Sequence, residues 1–330
     1  MKPFAPPRSS RLRRSAAALA ATVVASAGSL ALLPAAAHAA TPGHRAATVT
    51  YKFKTLDNAA DPTFNQLLGI NVHGEISGYF GSGAAGHPNK GYLLKPPYGQ
   101  SNYVNENYPG SAQTQVTGLN NFIDTAGFWV SKAGTNRGFV EWNDVFSSYT
   151  DPHTPHIKKA VNQLLGINNN GKAVGFYIDA KGNSHAYELN QATGVFTAIN
   201  VPGAVSTVAT GINNAGAIVG YSTNSKKVTS SWLLRGTSLI TFQFPGGSDT
   251  MAFGVNNPDT VVGSYLDGSK VMHGFVMSDP GAKAKWQTIN DPGAAAGTTV
   301  VNGINFAGDL VGFYNDKAGN THGMLAVPSS

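Results

Sequence analysis

Residues 166–177 read GINNNGKAVGFY, and this pattern of a glycine, an aliphatic residue and an asparagine occurs six times along the 330-residue chain. A second glycine always follows the first by nine positions. A fixed internal repeat indicates an array of equal structural units, and it describes a scaffold rather than a ligand. The six glycine pairs are Gly69/Gly78, Gly118/Gly127, Gly166/Gly175, Gly211/Gly220, Gly254/Gly263 and Gly303/Gly312.

Each repeat contains four short segments with strand character. The asparagine and glycine after the opening glycine suit a tight turn, and β-branched and aromatic residues such as those of 173–177 follow it. An aromatic residue or Met lies 21 positions after the opening glycine in five repeats, and a last apolar segment, such as 196–199, precedes a proline. Four short strands every 43 to 49 residues predict an all-β fold, a six-bladed β-propeller.

The two ends of the repeat array complement each other. The sixth repeat stops at Leu325–Val327 and lacks its fourth strand, whereas Phe53–Asp57 matches the fourth-strand pattern and has no preceding three strands. We therefore expect the N-terminal strand to complete the last blade, which removes the open sheet edge at the seam. It also places each Gly-x-Asn strand innermost, where crowding at the axis favours glycine.

The N-terminus is typical of an export signal. Residues 1–39 combine five basic residues with an alanine-rich apolar stretch and end in Ala37-His38-Ala39, a small-residue cleavage motif. We expect removal of this signal peptide before Ala40, a short linker over 40–50, and the propeller over 51–330. The protein is then secreted and bacterial, with no membrane span left after cleavage. Arg13-Arg14 leaves both the general and the twin-arginine export routes open.

Charge and composition exclude several partners. Cleavage removes five of the 23 basic residues and none of the 17 acidic residues, which leaves 18 against 17. A nearly neutral chain argues against nucleic-acid binding. The chain has no cysteine, so neither disulfides nor thiolate metal sites are available. We expect a monomer without a metal or other cofactor.

The string Gly-Ile-Asn-Asn-x-Gly-x-x-Val-Gly, continued by Phe or Tyr and later by His-Gly-Phe, resembles the HAF family of extracellular bacterial repeat proteins. The resemblance covers nearly all of 51–327 and is clearest at 166–187, 211–221, 254–275 and 303–325. Repeat two departs from it, because Ile123 stands where the turn glycine belongs. The resemblance implies an exported propeller-like protein and transfers no catalytic residue.

Two recurring polar positions have a structural interpretation. His185, His273 and His322 occupy equivalent repeat positions, but equivalent positions in separate blades lie too far apart to share a metal ion. A ring of repeat asparagines could bind a sugar or an ion, although capping of the turns explains it more simply. These structural-repeat asparagines are Asn71, Asn120, Asn168, Asn213, Asn256 and Asn305.

The departures from the repeat supply the candidate binding residues. Three irregular segments lie in or between the first two repeats: the insertion 81–89, the connection 95–109 and the segment 151–161. Exposed tyrosine and amide side chains suit glycan or protein surfaces. The sequence therefore predicts a non-enzymatic binding module for an extracellular glycan or protein. The candidate residues are His87, Tyr98, Tyr103, Tyr108, His153 and His156.

Catalysis is the alternative. An extracellular hydrolase or lyase would use the loop histidines of the first two repeats as acid or base. The thirty residues just ahead of the Gly-x-Asn motifs, which we expect to line the channel, include Asp249 as their one acid and no Lys, Arg or His. They lack the paired carboxylates of a glycoside hydrolase, and no Gly-x-Ser-x-Gly elbow is present. The sequence thus favours the binding module and names no catalytic residue.

Overall fold

A computed structural model describes residues 49–329, and every strand in this range belongs to one of six four-stranded antiparallel sheets. The first strands of successive sheets contact one another, and that of the last contacts that of the first, so the sheets form a ring. The predicted six-bladed β-propeller is confirmed. The expected signal peptide (1–39) and most of the expected linker (40–50) lie outside the described residues.

Each of the first five blades is a meander in which chain order equals spatial order. The strands of blades 1 and 2 are β2 (Asn65–Ile70), β3 (Ile76–Phe80), β4 (Lys90–Leu94), β5 (Tyr103–Asn105), β6 (Gln113–Leu119), β7 (Thr125–Val130), β8 (Asn136–Trp142) and β9 (Val145–Tyr149). Those of blades 3 to 5 are β10 (Asn162–Ile167), β11 (Lys172–Ile178), β12 (Ser184–Asn190), β13 (Val195–Ile199), β14 (Ala204–Ile212), β15 (Ile218–Asn224), β16 (Thr229–Arg235), β17 (Ser238–Phe242), β18 (Ser248–Val255), β19 (Val261–Leu266), β20 (Met272–Ser278) and β21 (Lys285–Ile289).

The sixth blade joins the two ends of the chain. It contains β22 (Val300–Ile304), β23 (Leu310–Asn315), β24 (Thr321–Pro328) and, outermost, β1 (Tyr51–Thr55). The pairing of β1 with β24 is antiparallel and runs from Tyr51 opposite Pro328 to Thr55 opposite Met324. The predicted closure of the last blade by the N-terminal strand is confirmed.

The innermost strands meet through their glycines. A Cβ placed on Gly118 would lie 2.9 Å from the Cα of Gly166, and one on Gly166 would lie 3.2 Å from the Cα of Gly211. The same contact continues around the ring until Gly303 meets Gly69. A β-bulge one residue before each of these glycines shifts the register of the strand pair. Only glycine permits so close an approach of six backbones.

The core lies between neighbouring sheets and is built from the large side chains of the third strands. Tyr92, Phe139, Tyr187, Trp232 and Phe275 occupy the same repeat position and are fully buried. Because each blade is covered by the next, every sheet buries both faces near the axis and exposes its outer strand. Among the described residues, no helix is long and apolar enough to cross a membrane.

Candidate functional site

The axial channel is too small for a ligand. Two cavities along the axis have volumes of about 70 and 80 Å³, well below the roughly 300–1,000 Å³ of usual ligand sites. The six bulge residues line the second of these cavities. These are Leu68, Thr117, Leu165, Thr210, Phe253 and Asn302.

The repeat asparagines form a closed ring of hydrogen bonds between blades. Each Nδ2 donates to the backbone carbonyl of the asparagine in the next blade, at 2.8 to 3.5 Å. Each Oδ1 caps its own turn; that of Asn168, for example, accepts from the backbone N–H groups of Asn170 and Lys172. All six side chains are buried, so both ends of each amide are engaged and withdrawn from any ligand. We call the side of the ring that carries these turns the asparagine face.

Two of the candidate tyrosines belong to the core between blades 6 and 1. The hydroxyl of Tyr98 donates to the backbone carbonyl of Gly74 at 2.8 Å. Tyr103 packs edge-on against Tyr92 with ring centroids 4.9 Å apart, and burial raises the pKa of its hydroxyl. Both rings pack against the same buried apolar cluster. These contacts use ring surface that a sugar would otherwise cover.

Strand connectivity separates the candidate residues onto two faces. In every meander the connections after the first and third strands lie on the asparagine face, and the others lie on the opposite face. Tyr98 follows β4, a third strand, and lies on the asparagine face. Tyr108 follows β5 and lies on the opposite face, where it stacks on Trp129 at 4.5 Å between centroids. The structure therefore does not bring the three tyrosines together.

The candidate histidines lie in connections on the face opposite the asparagines. His87 Nδ1 lies 2.8 Å from Asp61, and His153 Nδ1 lies 2.9 Å from Asp151. Burial raises the pKa of Asp61, but hydrogen bonds from Thr63 and His87 outweigh it and the pKa is lowered. All three side chains are exposed; His153 and His156 share the connection between β9 and β10, whereas His87 lies in the connection between β3 and β4.

The repeat histidines hold the turns between second and third strands. His185 Nε2 lies 2.9 Å from Asp179, and His322 bridges Asp57 at 2.7 Å and Asp316 at 3.3 Å. Each histidine thus has carboxylate partners within or beside its own blade. Within the described residues, no three His, Cys, Asp or Glu side chains converge closely enough to hold a metal ion.

A cleft of about 530 Å³ opens on the asparagine face between blades 5 and 6. Two aromatic rings face it, that of Tyr51 on β1 and that of Phe306 in the turn after β22. Trp286 of β21 also borders the cleft, but its ring lies on the other side of the sheet, between blades 4 and 5. Trp286 packs edge-on against Phe244 at 5.2 Å and stays half-buried, whereas Phe306 is 66% exposed. We call this site the aromatic cleft. Its volume and apolar walls are those of a usual ligand site.

Neutral hydrogen-bonding groups surround the aromatic rings. The lining includes the hydroxyls of Thr260 and Ser278 and contains no Asp or Glu among the described residues. The ammonium of Lys285 pairs with Asp279 at 2.9 Å. Burial and the charge of Asp309 raise the pKa of the Tyr51 hydroxyl to about 12. The Tyr51 hydroxyl therefore keeps its proton at neutral pH and can donate a hydrogen bond.

The segment ahead of β1 forms the outer end of the aromatic cleft. The Gln287 side chain accepts a hydrogen bond from the Val49 backbone N–H at 3.1 Å and donates one to the Val49 carbonyl at 2.6 Å. This double contact fastens the closing strand of blade 6 to the outer strand of blade 5. The cleft is thus shaped by residues that are far apart in sequence.

One departure from the repeat could have revealed the aromatic cleft. In repeats two to five the residue after the repeat asparagine is also asparagine, and the backbone N–H of Asn169, for example, donates to Asn214 Oδ1 at 2.9 Å. In the sixth repeat Phe306 takes this position and gives up that bond between blades. An exposed aromatic residue in place of a structural amide is typical of a recognition surface.

No protein-family model matches the chain, and no curated protein matches its sequence. Several solved structures are similar to it. A fucose-specific lectin from Aleuria aurantia has 12% identity and a TM-score of 0.49, with 79% of this chain and 91% of that chain covered. TolB from Acinetobacter baumannii has 10% identity and a TM-score of 0.47, with 82% of this chain and 66% of that chain covered, slightly under two thirds.

The β-propeller domain of the Trilobed protease from Pyrococcus furiosus has 8% identity and a TM-score of 0.46, with 79% of this chain and 95% of that chain covered. Likenesses at this level carry no argument about function. The chain's own sheet topology establishes it as a six-bladed β-propeller closed by its N-terminal strand.

Proposed function

We propose that the protein is a secreted, monomeric, non-enzymatic binding module that recognises an extracellular glycan in the aromatic cleft. The observation that carries this proposal is the combination of the Tyr51 and Phe306 rings with neutral hydroxyl and amide groups in one cleft of about 530 Å³. Sugar rings present apolar C–H faces and hydroxyl edges, and such a cleft offers a partner to each. We also propose, on the repeat motif, that the chain belongs to the HAF family.

Two features support a binding role over turnover. The ionisable groups that line the cleft, Tyr51 and Lys285, are respectively hard to deprotonate and already paired with Asp279. The aromatic cleft also lies on the opposite face of the ring from the loop histidines His87 and His153. Among the described lining residues, the ligand therefore meets no carboxyl or imidazole group that could serve as a general acid or base.

A glycan-binding screen with matched variants tests the proposal. Purified protein is titrated with a panel of polysaccharides and cell-wall glycans. The affinity for any glycan that binds is then measured for the unmodified protein and for Phe306→Asn, which restores the amide of the other repeats. We expect at least a tenfold increase in Kd for Phe306→Asn and a larger loss for Tyr51→Ala. Val72→Asn, the same change at the equivalent exposed position of blade 1, serves as the control and should bind normally.

Three results would contradict the proposal. Failure to bind any glycan would favour a protein partner or a structural role. Binding that Phe306→Asn leaves intact would move the site elsewhere on the ring. Release of products that is abolished by His87→Ala or His153→Ala would favour the extracellular hydrolase or lyase instead.

A further inference from the structure

One core position is apolar in five blades and acidic in the remaining one. It lies two residues after the buried residue of each third strand, and in blade 2 it is Glu141, opposite Thr125 of β7. Glu141 is only 7% exposed, and its Oε1 has no hydrogen-bond partner. A buried carboxyl oxygen without a hydrogen-bond partner is costly, so local stability does not account for the acid at this position. The five apolar counterparts are Leu94, Leu189, Leu234, Met277 and Ala326.

Glu141 lines a second cleft, of about 400 Å³, on the asparagine face between blades 1 and 2. We call it the acidic cleft. Its walls combine carboxylates with apolar side chains, and the exposed ring of Phe122 stands at its rim. Lys95 is the one cation of the lining. The acidic residues are Glu106, Asp124, Glu141 and Asp144, and the apolar ones are Leu93, Val104, Phe122, Ile123 and Phe146.

The four acidic residues differ in their hydrogen-bond partners. Asp124 accepts hydrogen bonds from the Asn120 side chain and from the Asn143 backbone, and Glu106 accepts one from Thr125. No lysine or arginine of the described residues forms an ion pair with any of the four. The cleft thus concentrates negative charge around one carboxyl that lacks a counterion.

The protonation of Glu141 reflects this environment. Burial and the nearby Glu106, followed by Asp124 and Asp144, raise the pKa of Glu141 to about 7, against one opposing backbone hydrogen bond from Asp144. Burial likewise raises the pKa of Glu106. A cation in the cleft would stabilise the ionised forms and lower both pKa values.

We propose that the acidic cleft binds an organic cation that has an aliphatic stem, namely an alkylammonium or alkylguanidinium group. The unpartnered Oε1 of Glu141 receives the charged head, and the apolar walls cover the stem. The described acids do not converge closely enough to hold a metal ion, which favours the larger organic head group. Lysine and arginine side chains of a protein share this chemistry with free polyamines.

Calorimetric titration of the purified protein tests the site. The probes are spermidine, an acetylated and amidated lysine peptide, the corresponding arginine peptide, and calcium chloride. We expect at least one organic probe to bind, and Glu141→Gln to weaken it at least tenfold. Glu188→Gln, which alters a carboxylate paired with Lys172 in blade 3, is the matched control and should bind normally. Binding of spermidine but not of the peptides identifies a free polyamine, and the reverse identifies a protein side chain.

The pH dependence gives a second readout. Because the cation binds the ionised carboxylate, apparent affinity should fall about tenfold per pH unit below pH 7 in the unmodified protein and much less in Glu141→Gln. Glu141→Leu, which restores the apolar residue of the other blades, should abolish binding and raise the unfolding midpoint. This variant keeps the proposal testable if Glu141→Gln folds poorly.

Several results would overturn the proposal. These are the absence of organic-cation binding at pH 8, equal affinity in Glu141→Gln, and exclusive binding of calcium. A Glu141→Leu variant that binds normally would do the same.

Discussion

Gly220 shows why glycine recurs at the second glycine position of the repeat. A Cβ at this position would overlap the backbone carbonyl oxygen of Val208 on the neighbouring strand and lie 2.9 Å from Cε2 of Trp232. Neither atom can move cheaply, because one belongs to the innermost strand and the other to a fully buried ring. The equivalent Gly175 and Gly312 meet the carbonyls of their own inner strands in the same way.

Replacement of Gly220 by valine should therefore destabilise the protein strongly. We expect the free energy of unfolding to fall by about 3 kcal/mol, because the added side chain overpacks a rigid site. Gly268→Val is the control: no atom lies within 4 Å of a Cβ there, and we expect a change within about 0.5 kcal/mol. Denaturant unfolding measures the free energy of unfolding of both variants. Equal values for Gly220→Val and Gly268→Val would argue against backbone crowding at Gly220.

Asn168 serves two contacts that one substitution can separate. Its Oδ1 caps the turn, and its Nδ2 donates to the Asn213 carbonyl of the next blade at 3.0 Å. Asn168→Asp keeps the cap but places a carboxylate against that carbonyl, so we expect a loss of about 2 kcal/mol. The same change at exposed Asn200 should be nearly neutral. If the two variants unfold at the same denaturant concentration, the ring of amides does not hold the blades together.

At the level of elements, β1 decides how the ring closes. This segment contacts the core on both sides of blade 6. Phe53 of β1 packs against the apolar cluster between blades 5 and 6. Leu56, just after the strand, is buried between blades 6 and 1. The Thr55 hydroxyl lies 2.9 Å from that of Tyr314 on β23. After the strand, Asp57 accepts hydrogen bonds from the His322 side chain and the Gly323 backbone.

Deletion of residues 40–58 should lower the melting temperature sharply. The deletion removes the strand that pairs with β24 and uncovers two apolar clusters. Deletion of 40–48 alone leaves β1 in place and should change the melting temperature little. Thermal unfolding followed by circular dichroism compares the two forms. A closure role for β1 would be untenable if both forms melted together.

The contact between Asp57 and His322 makes closure depend on pH. Partial burial opposes the charge on His322, but hydrogen bonds to Asp57 and Asp316 outweigh it and raise its pKa above 6.5. A group whose pKa is raised in the folded state contributes fully below its unfolded pKa, and the contribution is lost as pH rises through the folded pKa. We therefore expect stability to decline from pH 6 to pH 9.

Asp57→Asn tests this dependence because it keeps an acceptor for the Gly323 backbone while it removes the charge. The variant should lose stability mainly at the acidic end of this range, and its pH dependence should be shallower than that of the unmodified protein. Urea unfolding at a series of pH values measures both curves. Parallel curves would show that His322 does not contribute through Asp57.

For the whole molecule, closure and charge predict a monomer. The seam of the sixth blade is paired, and propellers leave only short outer edges exposed. After the expected cleavage, 18 basic residues face 17 acidic ones, so no large net charge directs the protein to nucleic acid. The two clefts on the asparagine face differ in character, since one is lined by acids and the other contains none.

Sedimentation velocity should therefore give a single species with the mass of one chain. The form that lacks residues 40–58 exposes the edge of β24 and should self-associate as its concentration rises. A dimer of the unmodified protein at micromolar concentration would contradict the expectation. Self-association of both forms would indicate that the chains associate through their outer strands and not through the seam of the sixth blade.

The sequence by itself determined the number of blades, the four strands of each and the closing strand. It could do so because turn asparagines, crowded glycines and strand residues recur at fixed spacing. Each of them determines the conformation of its own segment or its pairing with the nearest strands. The same regularity indicates that His185 and the other repeat histidines have a structural role and do not share a metal ion.

Only the tertiary structure decided which irregular residues share a surface. Tyr98 and Tyr108 are close in sequence, but they lie on opposite faces because β5 runs between them. Tyr51 and Gln287 are far apart in sequence and line one cleft because the chain closes into a ring. Contacts between blades depend on which strands become neighbours around the axis. A local sequence pattern does not specify which irregular residues of different blades come close together in space.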